Sequence, residues 1–228
     1  MHIGLIGGIG PAATEFYYRG LVKAHKAANR RMNLTIAHAD TIEMVRNMEN
    51  NEAQVQAAIF SDYVVQLKAG GAEAVAVTSL GGHFCIQELE VISQLPIINA
   101  IPVLDAHFAS MGVKRIGLLG TRAVMSTKLY GGVSSVDVIV PLPEDIETVH
   151  TEYITMATSG FATDQQREYF DVAGRKLCQD LGADVVVLAG TDLFLAFGEE
   201  DHGYPIIDSA QIHIDAITRA SLEGLAIV

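Results

Sequence analysis

Three short loops carry the side chains best suited to chemistry, and each loop follows an apolar segment. They are Gly7-Gly8-Ile9-Gly10-Pro11, Thr78-Ser79-Leu80-Gly81-Gly82-His83 and Ala189-Gly190-Thr191-Asp192. In the first loop, glycines allow close backbone approach, and the N–H groups of a helix that starts near Pro11 attract a carboxylate or a phosphate. The other two loops offer hydroxyls, an imidazole and a carboxylate, which bind substrates and move protons. The first loop therefore predicts anion binding, with a purely structural tight turn as the alternative.

The first loop does not complete the fingerprint of a dinucleotide site. Ala13 stands at the third glycine position, and no acidic residue follows at a strand end about 20 residues further on. Asp40 ends the second predicted strand, but its spacing is longer. A bound nucleotide is therefore disfavoured.

Short β-branched segments alternate with segments of helical periodicity along the chain. Apolar runs without alternation suit a parallel sheet that helices cover on both faces, so the pattern predicts a doubly wound α/β fold. The predicted strands are His2–Ile6, Leu34–Ala39, Ala74–Val77, Ile97–Ile98, Arg115–Leu119, Val136–Ile139, Val185–Leu188 and Ile206–Ile207. The predicted helices are Ala12–Arg30, Glu52–Ala69, Ile86–Gln94, Pro102–Met111, Thr163–Leu181 and Ser209–Glu223.

Two sequence repeats indicate an internal duplication. Ile3-Gly4-Leu5-Ile6-Gly7 recurs 113 residues later as Ile116-Gly117-Leu118-Leu119-Gly120. Gly71-Ala72-Glu73-Ala74-Val75 recurs 111 residues later as Gly182-Ala183-Asp184-Val185-Val186. Because the two offsets nearly agree, the repeats predict two similar α/β halves.

We therefore expect two pseudo-symmetric three-layer α/β lobes with mainly parallel sheets, residues 1–100 and 101–208. The C-terminal helix, residues 209–228, is expected to pack back on the first lobe. Ligands of open parallel sheets bind beyond the carboxyl ends of the strands. The loops that contain Ser79 and Gly190 are accordingly expected to face one cleft between the lobes.

The composition excludes several classes of protein. The 228 residues are 50% hydrophobic and 18% charged, which is unlike a disordered chain. A net charge of −12 argues against binding to nucleic acid or to an anionic membrane through a basic field. No apolar run approaches the roughly 20 residues that span a bilayer, and the start resembles no signal peptide. Two cysteines form neither a disulfide framework nor a metal-ligand pattern. These features predict a soluble, cytoplasmic protein without a metal.

Five segments together resemble the aspartate/glutamate racemase family over essentially the whole chain. The resemblance implies two pseudo-symmetric α/β lobes with the active site between them, no cofactor, a homodimer, and a small carboxylate or amino acid as the ligand. The segments are IGLIGGIGPAAT, VTSLGGHF, GLLGTRAVMSTKLY, VVLAGTDL and PIIDSAQIH.

The resemblance also implies a pair of catalytic cysteines that this chain lacks. Family enzymes place one cysteine in each lobe, in motifs similar to CNTAH and GCTE, to remove a proton from one face of Cα and return one on the other. The matching positions hold Ser79 and Gly190, so a two-thiol mechanism is not possible. An aliphatic hydroxyl needs an adjacent base, and His83, which matches the motif histidine, is the nearest candidate. With Asp192 at the position of the glutamate, the catalytic candidates are Ser79, His83 and Asp192.

The same matches imply residues that bind substrate. Thr14 and Thr121, after the first strand of each lobe, are expected to bind the α-carboxylate, and Gly8, Thr78 and Thr191 to contribute further contacts. Arg46 stands where family enzymes carry a basic residue for a distal carboxylate, although an exposed position on a helix is equally consistent. Thr158-Ser159 replace the second expected basic residue, which puts a dicarboxylic substrate in question.

Other polar and thiol side chains have structural explanations beside functional ones. Cys85 lies two positions after His83 and either reaches the cleft or packs in the core, where buried cysteines are common. His213 either lines the site or supports a loop. Cys178 is expected to be structural, and His202 to lie in a solvated turn.

Three functions fit these observations. The first is a cofactor-independent isomerase similar to amino-acid racemases, which acts on a small amino or carboxylic acid. The second is a related decarboxylase or isomerase that uses one-sided chemistry, although such relatives keep a single cysteine. The third is a catalytically silent protein that binds a small carboxylate.

Overall fold

The structure, a computed structural model, describes residues 1–198 and 200–224 and divides into two compact units. Unit 1 comprises Met1–Asn99 together with the segment that starts at Gln211, and unit 2 comprises Ala100–Ala210. Each unit is built on its own sheet, and all of the strand pairings are parallel. This arrangement confirms the predicted α/β class.

Unit 1 contains a three-stranded sheet in the order β2-β1-β3. The central strand β1 and its neighbour β3 are buried at every position, as their non-alternating apolar sequences require when helices cover both faces. A short 3₁₀ turn, Gly81–Cys85, follows β3. The elements are β1 (Ile3–Gly7), α1 (Pro11–Ala27), β2 (Leu34–His38), α2 (Thr41–Glu49), α3 (Ala53–Ala69), β3 (Ala74–Val77) and α4 (Ile86–Ile92).

Unit 2 contains a four-stranded sheet in the order β5-β4-β6-β7. The strand β6 is again buried throughout. The helix that begins at Ser209 has its first two residues in unit 2, and from Gln211 onwards it belongs to unit 1. The elements are α5 (Ala100–Met111), β4 (Arg115–Leu119), α6 (Arg122–Ser126), β5 (Asp137–Ile139), α7 (Pro143–Ser159), α8 (Asp164–Gln179), β6 (Val185–Leu188), α9 (Phe194–Phe197), β7 (Ile206–Asp208) and α10 (Ser209–Glu223).

Corresponding glycines in the two central strands make corresponding contacts. A Cβ atom on Gly4 would lie 3.0 Å from Leu67 and 3.2 Å from Ala72. On Gly117, 113 residues later, it would lie 3.0 Å from Leu177 and 3.1 Å from Ala183. Each helix therefore approaches its strand closely because the strand carries a glycine at the same point, which supports the duplication read from the repeats.

The last helix, α10, packs along α1 within unit 1. Tyr17 bonds to the ring of His213 at 2.9 Å, and His25 bonds to the hydroxyl of Ser221 at 2.9 Å. Between these contacts, a Cβ atom on Gly20 would lie 3.0 Å from Ile214. A glycine and two polar pairs thus hold the two helices side by side.

The structure differs from the predicted elements at several places. Ile97–Ile98 was expected to form a strand but forms a single parallel bridge between Val75 and Ile97. The helix α2 was not predicted, although Asp40 followed by Glu43 resembles a capping box, and the Asp40 side chain accepts the N–H of Glu43 at 2.8 Å. The helix α7 was also missed. None of the described helices is long and apolar enough to cross a bilayer.

Candidate active-site residues in each unit

In unit 1, three predicted substrate-binding residues form one hydrogen-bonded group, which we call the threonine cluster. Thr14, in the first turn of α1, accepts the N–H of Gly8 on Oγ1 at 2.7 Å. The same oxygen lies 3.3 Å from Oγ1 of Thr78, the residue directly after β3. Gly8, Thr14 and Thr78 therefore lie together beyond the carboxyl ends of two neighbouring strands. Since the N–H of Gly8 is paired with Thr14, an anion at this N–H has to displace that hydroxyl.

Gly8 occupies a backbone conformation that favours glycine. Its φ is +89°, and a Cβ atom would lie 2.4 Å from Nδ1 of His38 and 2.6 Å from the carbonyl oxygen of Ala39. The absence of a side chain at Gly8 therefore lets its backbone pack closely against His38, at the end of β2, and Ala39.

Ser79 and His83 lie in the turn after β3, and both are buried. Nδ1 of His83 lies 2.7 Å from the carbonyl oxygen of Ser79. Because a carbonyl oxygen only accepts, Nδ1 carries the proton and Nε2 carries the lone pair. The hydroxyl of Ser79 accepts the N–H of Gly82 at 3.3 Å. The turn therefore brings together the two catalytic candidates of unit 1, and it fixes the tautomer of the imidazole.

A second buried imidazole, His213 of α10, packs edge-on against His83 with ring centroids 6.0 Å apart. Its Nε2 donates to the carbonyl oxygen of Ile98 at 2.8 Å, and its Nδ1 accepts from the hydroxyl of Tyr17 at 2.9 Å. Burial lowers the pKa of His83 to about 4. Burial and the neighbouring His83 lower the pKa of His213 to about 3. Both rings are consequently neutral at pH 7, and the contacts of His213 are those of a residue that supports the turn.

Cys85 packs in the core of unit 1. Its side chain is fully buried, and its Sγ donates to the carbonyl oxygen of Gly82 at 3.4 Å. Burial, and then the charge of Glu88, raise the pKa of the thiol to about 12. A thiol with this pKa is a poor base and a poor nucleophile at pH 7, because the reactive thiolate is scarcely populated.

Arg46 lies on the exposed side of α2. Its guanidinium is 3.6 Å from the carboxylate of Glu43 on the same helix, and 64% of its side chain is exposed. The sequence allowed either a position that binds a distal carboxylate of the substrate or an exposed position on a helix, and the structure shows the exposed position.

In unit 2, Thr121 caps the short helix α6. Its Oγ1 accepts the N–H of Val124 at 3.3 Å. The next residue, Arg122, donates its N–H to Nδ1 of His150 on α7 at 3.2 Å. Thr121 therefore has a structural role after β4, as the residue that caps the N-terminus of α6.

The loop after β6 packs against the ring of Tyr153 on α7. A Cβ atom on Gly190 would lie 2.3 Å from Cε2 and 2.7 Å from Cζ of this ring. Tyr153 Oη donates to Oδ2 of Asp192 at 3.2 Å. Burial, and then the charge of Asp192, raise the pKa of the phenol well above its usual value. The tyrosine thus fills the volume that any side chain at residue 190 would need.

Thr191 carries an unusual hydroxyl in the same loop. Its side chain is 1% exposed, and within residues 1–198 and 200–224 its Oγ1 has no hydrogen-bond partner. The hydroxyl lies near the phenol of Tyr153 and acts to lower the pKa of that phenol, against the larger effects of burial and of Asp192. A buried hydroxyl without a partner costs free energy, and a bound polar group would recover it.

Two further expectations can be compared with the structure. His202, expected in a solvated turn, is instead half-buried, with Nδ1 2.8 Å from Asp171 and Nε2 2.8 Å from the carbonyl oxygen of Phe197. Among the residues described, no group of three or more histidines, cysteines, aspartates and glutamates is arranged to hold a metal ion.

Sequence reasoning did not include Tyr153 among the site residues. Two signals pointed to it: the glycine at residue 190, which leaves room for a neighbour, and the spacing of Val149, Tyr153 and Met156, which places them on one face of a helix. Neither signal identifies which residue fills the room, because the two segments are far apart in sequence.

Comparisons with known proteins agree with this architecture. A family model described as Asp/Glu/hydantoin racemase matches residues 6–217. A candidate Asp/Glu racemase from Yersinia pestis is 25% identical, with a TM-score of 0.80 over 98% of this chain and 100% of its own. An aspartate racemase homologue from Pyrococcus horikoshii is 24% identical, with a TM-score of 0.76 over 96% and 99%. The aspartate racemase of Picrophilus torridus is 19% identical, with a TM-score of 0.80 over 97% and 94%.

Proposed function

The chain belongs to the Asp/Glu/hydantoin racemase family, and on that premise we propose that it is an isomerase that binds a small amino or carboxylic acid. The observation that carries the proposal is the threonine cluster, whose hydroxyls lie beyond the ends of β1 and β3 and directly before Ser79. The carboxyl ends of parallel strands are where such folds bind ligands. The two hydroxyls donate at 3.3 Å to backbone carbonyl oxygens, Thr14 to Gly10 and Thr78 to Ile6, and a carboxylate, which amino acids and carboxylic acids share, would take over these donors.

The reaction cannot use a pair of thiols, because Ser79 and Gly190 stand at the two positions. In its place we propose proton transfer by Ser79 with the neutral imidazole of His83 in unit 1, and by Asp192 in unit 2. The hydrogen bond from Nδ1 of His83 to the carbonyl oxygen of Ser79 makes Nε2 the nitrogen without a proton, which is the atom of this ring that could accept one. Thr78, Thr121 and Thr191 are proposed to bind the substrate. Arg46 is a weaker candidate because it is exposed.

We further propose that the enzyme uses no cofactor, forms a homodimer and acts in the cytoplasm, as the family resemblance implies. Loss or exchange of a Cα proton requires only an acid and a base, and the polar groups named above supply both. The oligomeric state can be measured by light scattering of the purified chain.

The test of the activity is exchange of the α-proton with solvent. The purified protein is incubated in D₂O with the D and L forms of aspartate, glutamate and the monocarboxylic amino acid alanine, and the Cα–H signal is followed by NMR. We expect loss of this signal with at least one of these six compounds. Absence of exchange with all six, beside a ligand-induced rise in Tm, would favour a binding protein over an isomerase.

The test of the binding site compares two substitutions of Thr14. A ligand at a hundredfold excess over its Kd stabilises the folded state by about 2.7 kcal/mol. Thr14→Val removes the hydroxyl of the threonine cluster and should abolish the ligand-induced rise in Tm, whereas Thr14→Ser keeps the hydroxyl and should retain it. If both variants keep the full rise, the ligand binds elsewhere.

A further inference from the structure

Gly190, in the loop after β6, packs against the ring of Tyr153 on α7, and this contact explains how the fold accommodates the missing second cysteine. Gly190 stands at the position that the family resemblance assigns to the second cysteine. The three atoms nearest to a Cβ on Gly190 all belong to the ring of Tyr153, at 2.3, 2.7 and 3.0 Å. A cysteine at residue 190 would therefore collide with this ring, and the ring takes up the room that the thiol would occupy.

The phenol at the end of this ring is placed for proton transfer. Its Oη is buried and donates to Asp192 across 3.2 Å, which is longer than the 2.7–2.8 Å that is usual for O–H···O bonds. A long hydrogen bond leaves the hydroxyl able to turn towards another acceptor. The neighbouring Thr191 hydroxyl is buried and makes no hydrogen bond among the residues described, so a second polar group lies beside the phenol.

We propose that Tyr153 is a catalytic residue that returns a proton to the substrate, that Asp192 takes part through its hydrogen bond with this phenol, and that the phenol replaces the side chain missing at residue 190. This inference rests on the proposed isomerase function. Once a base has removed the Cα proton, the electron pair on Cα takes the proton from Oη. A Cα–H bond forms, the O–H bond breaks, and its electron pair stays on the phenolate. Before the next turnover the phenolate regains a proton from water, and the base releases the proton that it took from Cα to water.

The direction of transfer follows from the environment of the phenol. Burial and the charge of Asp192 raise the pKa of Tyr153, so the resting side chain is protonated at pH 7 and acts as the donor for one enantiomer, whereas in the reverse direction its phenolate is the base. An α-carbanion is a far stronger base than a phenolate, so the transfer is favourable. The nearby carboxylate then disfavours the phenolate and promotes its reprotonation.

The first experiment separates exchange of the α-proton from inversion of the α-carbon. Tyr153→Phe keeps the ring and removes only the hydroxyl. With an amino acid whose α-proton the native protein exchanges in D₂O, we expect inversion, measured by chiral chromatography, to fall about 100-fold or more, which is the usual effect of losing a general acid. Deuterium exchange from one enantiomer should continue with retention, because the abstracting base is intact and returns deuterium to the same face. A purely structural loss would lower inversion and exchange together.

A matched control is available in unit 2. Tyr204 also donates from its phenol to an aspartate, Asp171, and to the carbonyl oxygen of the same residue. Tyr204→Phe should leave inversion and exchange unchanged. Native rates of inversion in Tyr153→Phe would overturn the inference and leave the proposed isomerase standing. If the native protein exchanges the α-proton of none of the six compounds in the activity test, both proposals fail.

The second experiment tests the packing without activity. Gly190→Ala should lower Tm by several degrees in the native background, because the new methyl group meets the ring of Tyr153. The same substitution in a Tyr153→Ala background should cost much less, since the ring is gone. Equal losses of Tm in the two backgrounds would show that the ring does not occupy the place of the residue 190 side chain.

Discussion

Nδ1 of His83 lies 2.7 Å from the carbonyl oxygen of Ser79, so the imidazole holds the backbone of the serine. The sequence suggested that His83 assists the hydroxyl of Ser79. The structure gives the ring a second role, because this hydrogen bond closes the turn after β3 while Nε2 keeps its lone pair. The ring is fully buried, so protonating it is costly, and the stability of the protein should depend on pH.

The first prediction concerns that pH dependence. The pKa of His83 is about 4 in the folded protein and about 6.5 in an unfolded chain. The unfolded state therefore binds more protons between these values, and stability should be lost as pH falls from about 6.5 to about 4. The difference between these two pKa values corresponds to a loss of about 3 kcal/mol in the free energy of unfolding. His83→Gln should flatten the fall in the free energy of unfolding, measured by urea titration at several pH values.

His202 provides a control with the opposite sign. Burial acts to lower its pKa, but hydrogen bonds to the carbonyl oxygen of Phe197 and to Asp171 outweigh burial and raise it. Its contribution to stability should be present at low pH and be lost as pH rises, so His202→Gln should steepen the fall in stability towards acid relative to the native protein. If His83→Gln leaves the acid fall as steep as in the native protein, protonation of this ring is not its cause.

The second prediction uses the buried hydroxyl of Thr191. Thr191→Val removes a buried group that lacks a partner and should stabilise the unliganded protein by about 1 kcal/mol. If Thr191 binds substrate, the same variant should lose part of the ligand-induced rise in Tm. Thr218 on α10 also has a buried Oγ1 without a partner among the residues described, so Thr218→Val is a matched control. Thr218→Val should stabilise the unliganded protein by a similar amount and keep the full ligand-induced rise in Tm. If the two variants show the same ligand-induced rise in Tm, Thr191 does not bind the ligand.

The third prediction compares two glycines with positive φ. Gly8→Ala should cost about 2 kcal/mol or more, because it combines backbone strain with a Cβ 2.4 Å from Nδ1 of His38. Gly112 has a φ of +72° and nothing within 4 Å of its Cβ, so Gly112→Ala should cost about 1 kcal/mol from strain alone. Urea denaturation of both variants measures the difference. Equal losses in the free energy of unfolding would mean that His38 and Ala39 move aside readily for a larger residue at position 8.

The fourth prediction concerns Cys85. Because its thiol is buried and its pKa is raised to about 12, iodoacetamide at pH 7.5 should alkylate it slowly in the native protein and rapidly in urea. Cys178, which is partly exposed, should react first. Mass spectrometry of the labelled protein identifies the site. Cys85→Ala should also leave exchange of the substrate α-proton unchanged; its loss would make Cys85 the missing base.

The sequence alone determined the strands that carry the site. Ala74–Val77, Arg115–Leu119 and Val185–Leu188 were predicted with the bounds that the structure shows. Apolar runs without alternation have one stable environment, a parallel sheet covered on both faces, so local pattern and tertiary burial agree. The sequence also determined that no thiol stands at residues 79 and 190, and it placed Thr14 and Thr78 after neighbouring strands, where the structure joins them in the threonine cluster.

Tertiary structure alone decided what surrounds these positions. The helix α7 has many β-branched residues and weak helical propensity, so its existence depends on the packing of its buried face. Only that packing brings Tyr153 against Gly190, a residue 37 positions further along the chain. The exposure of Arg46 and the burial of His202 were decided in the same way. The sequence shows that residue 190 has no side chain. The ring that fills this space belongs to Tyr153, a residue distant in sequence, and its position depends on how α7 packs.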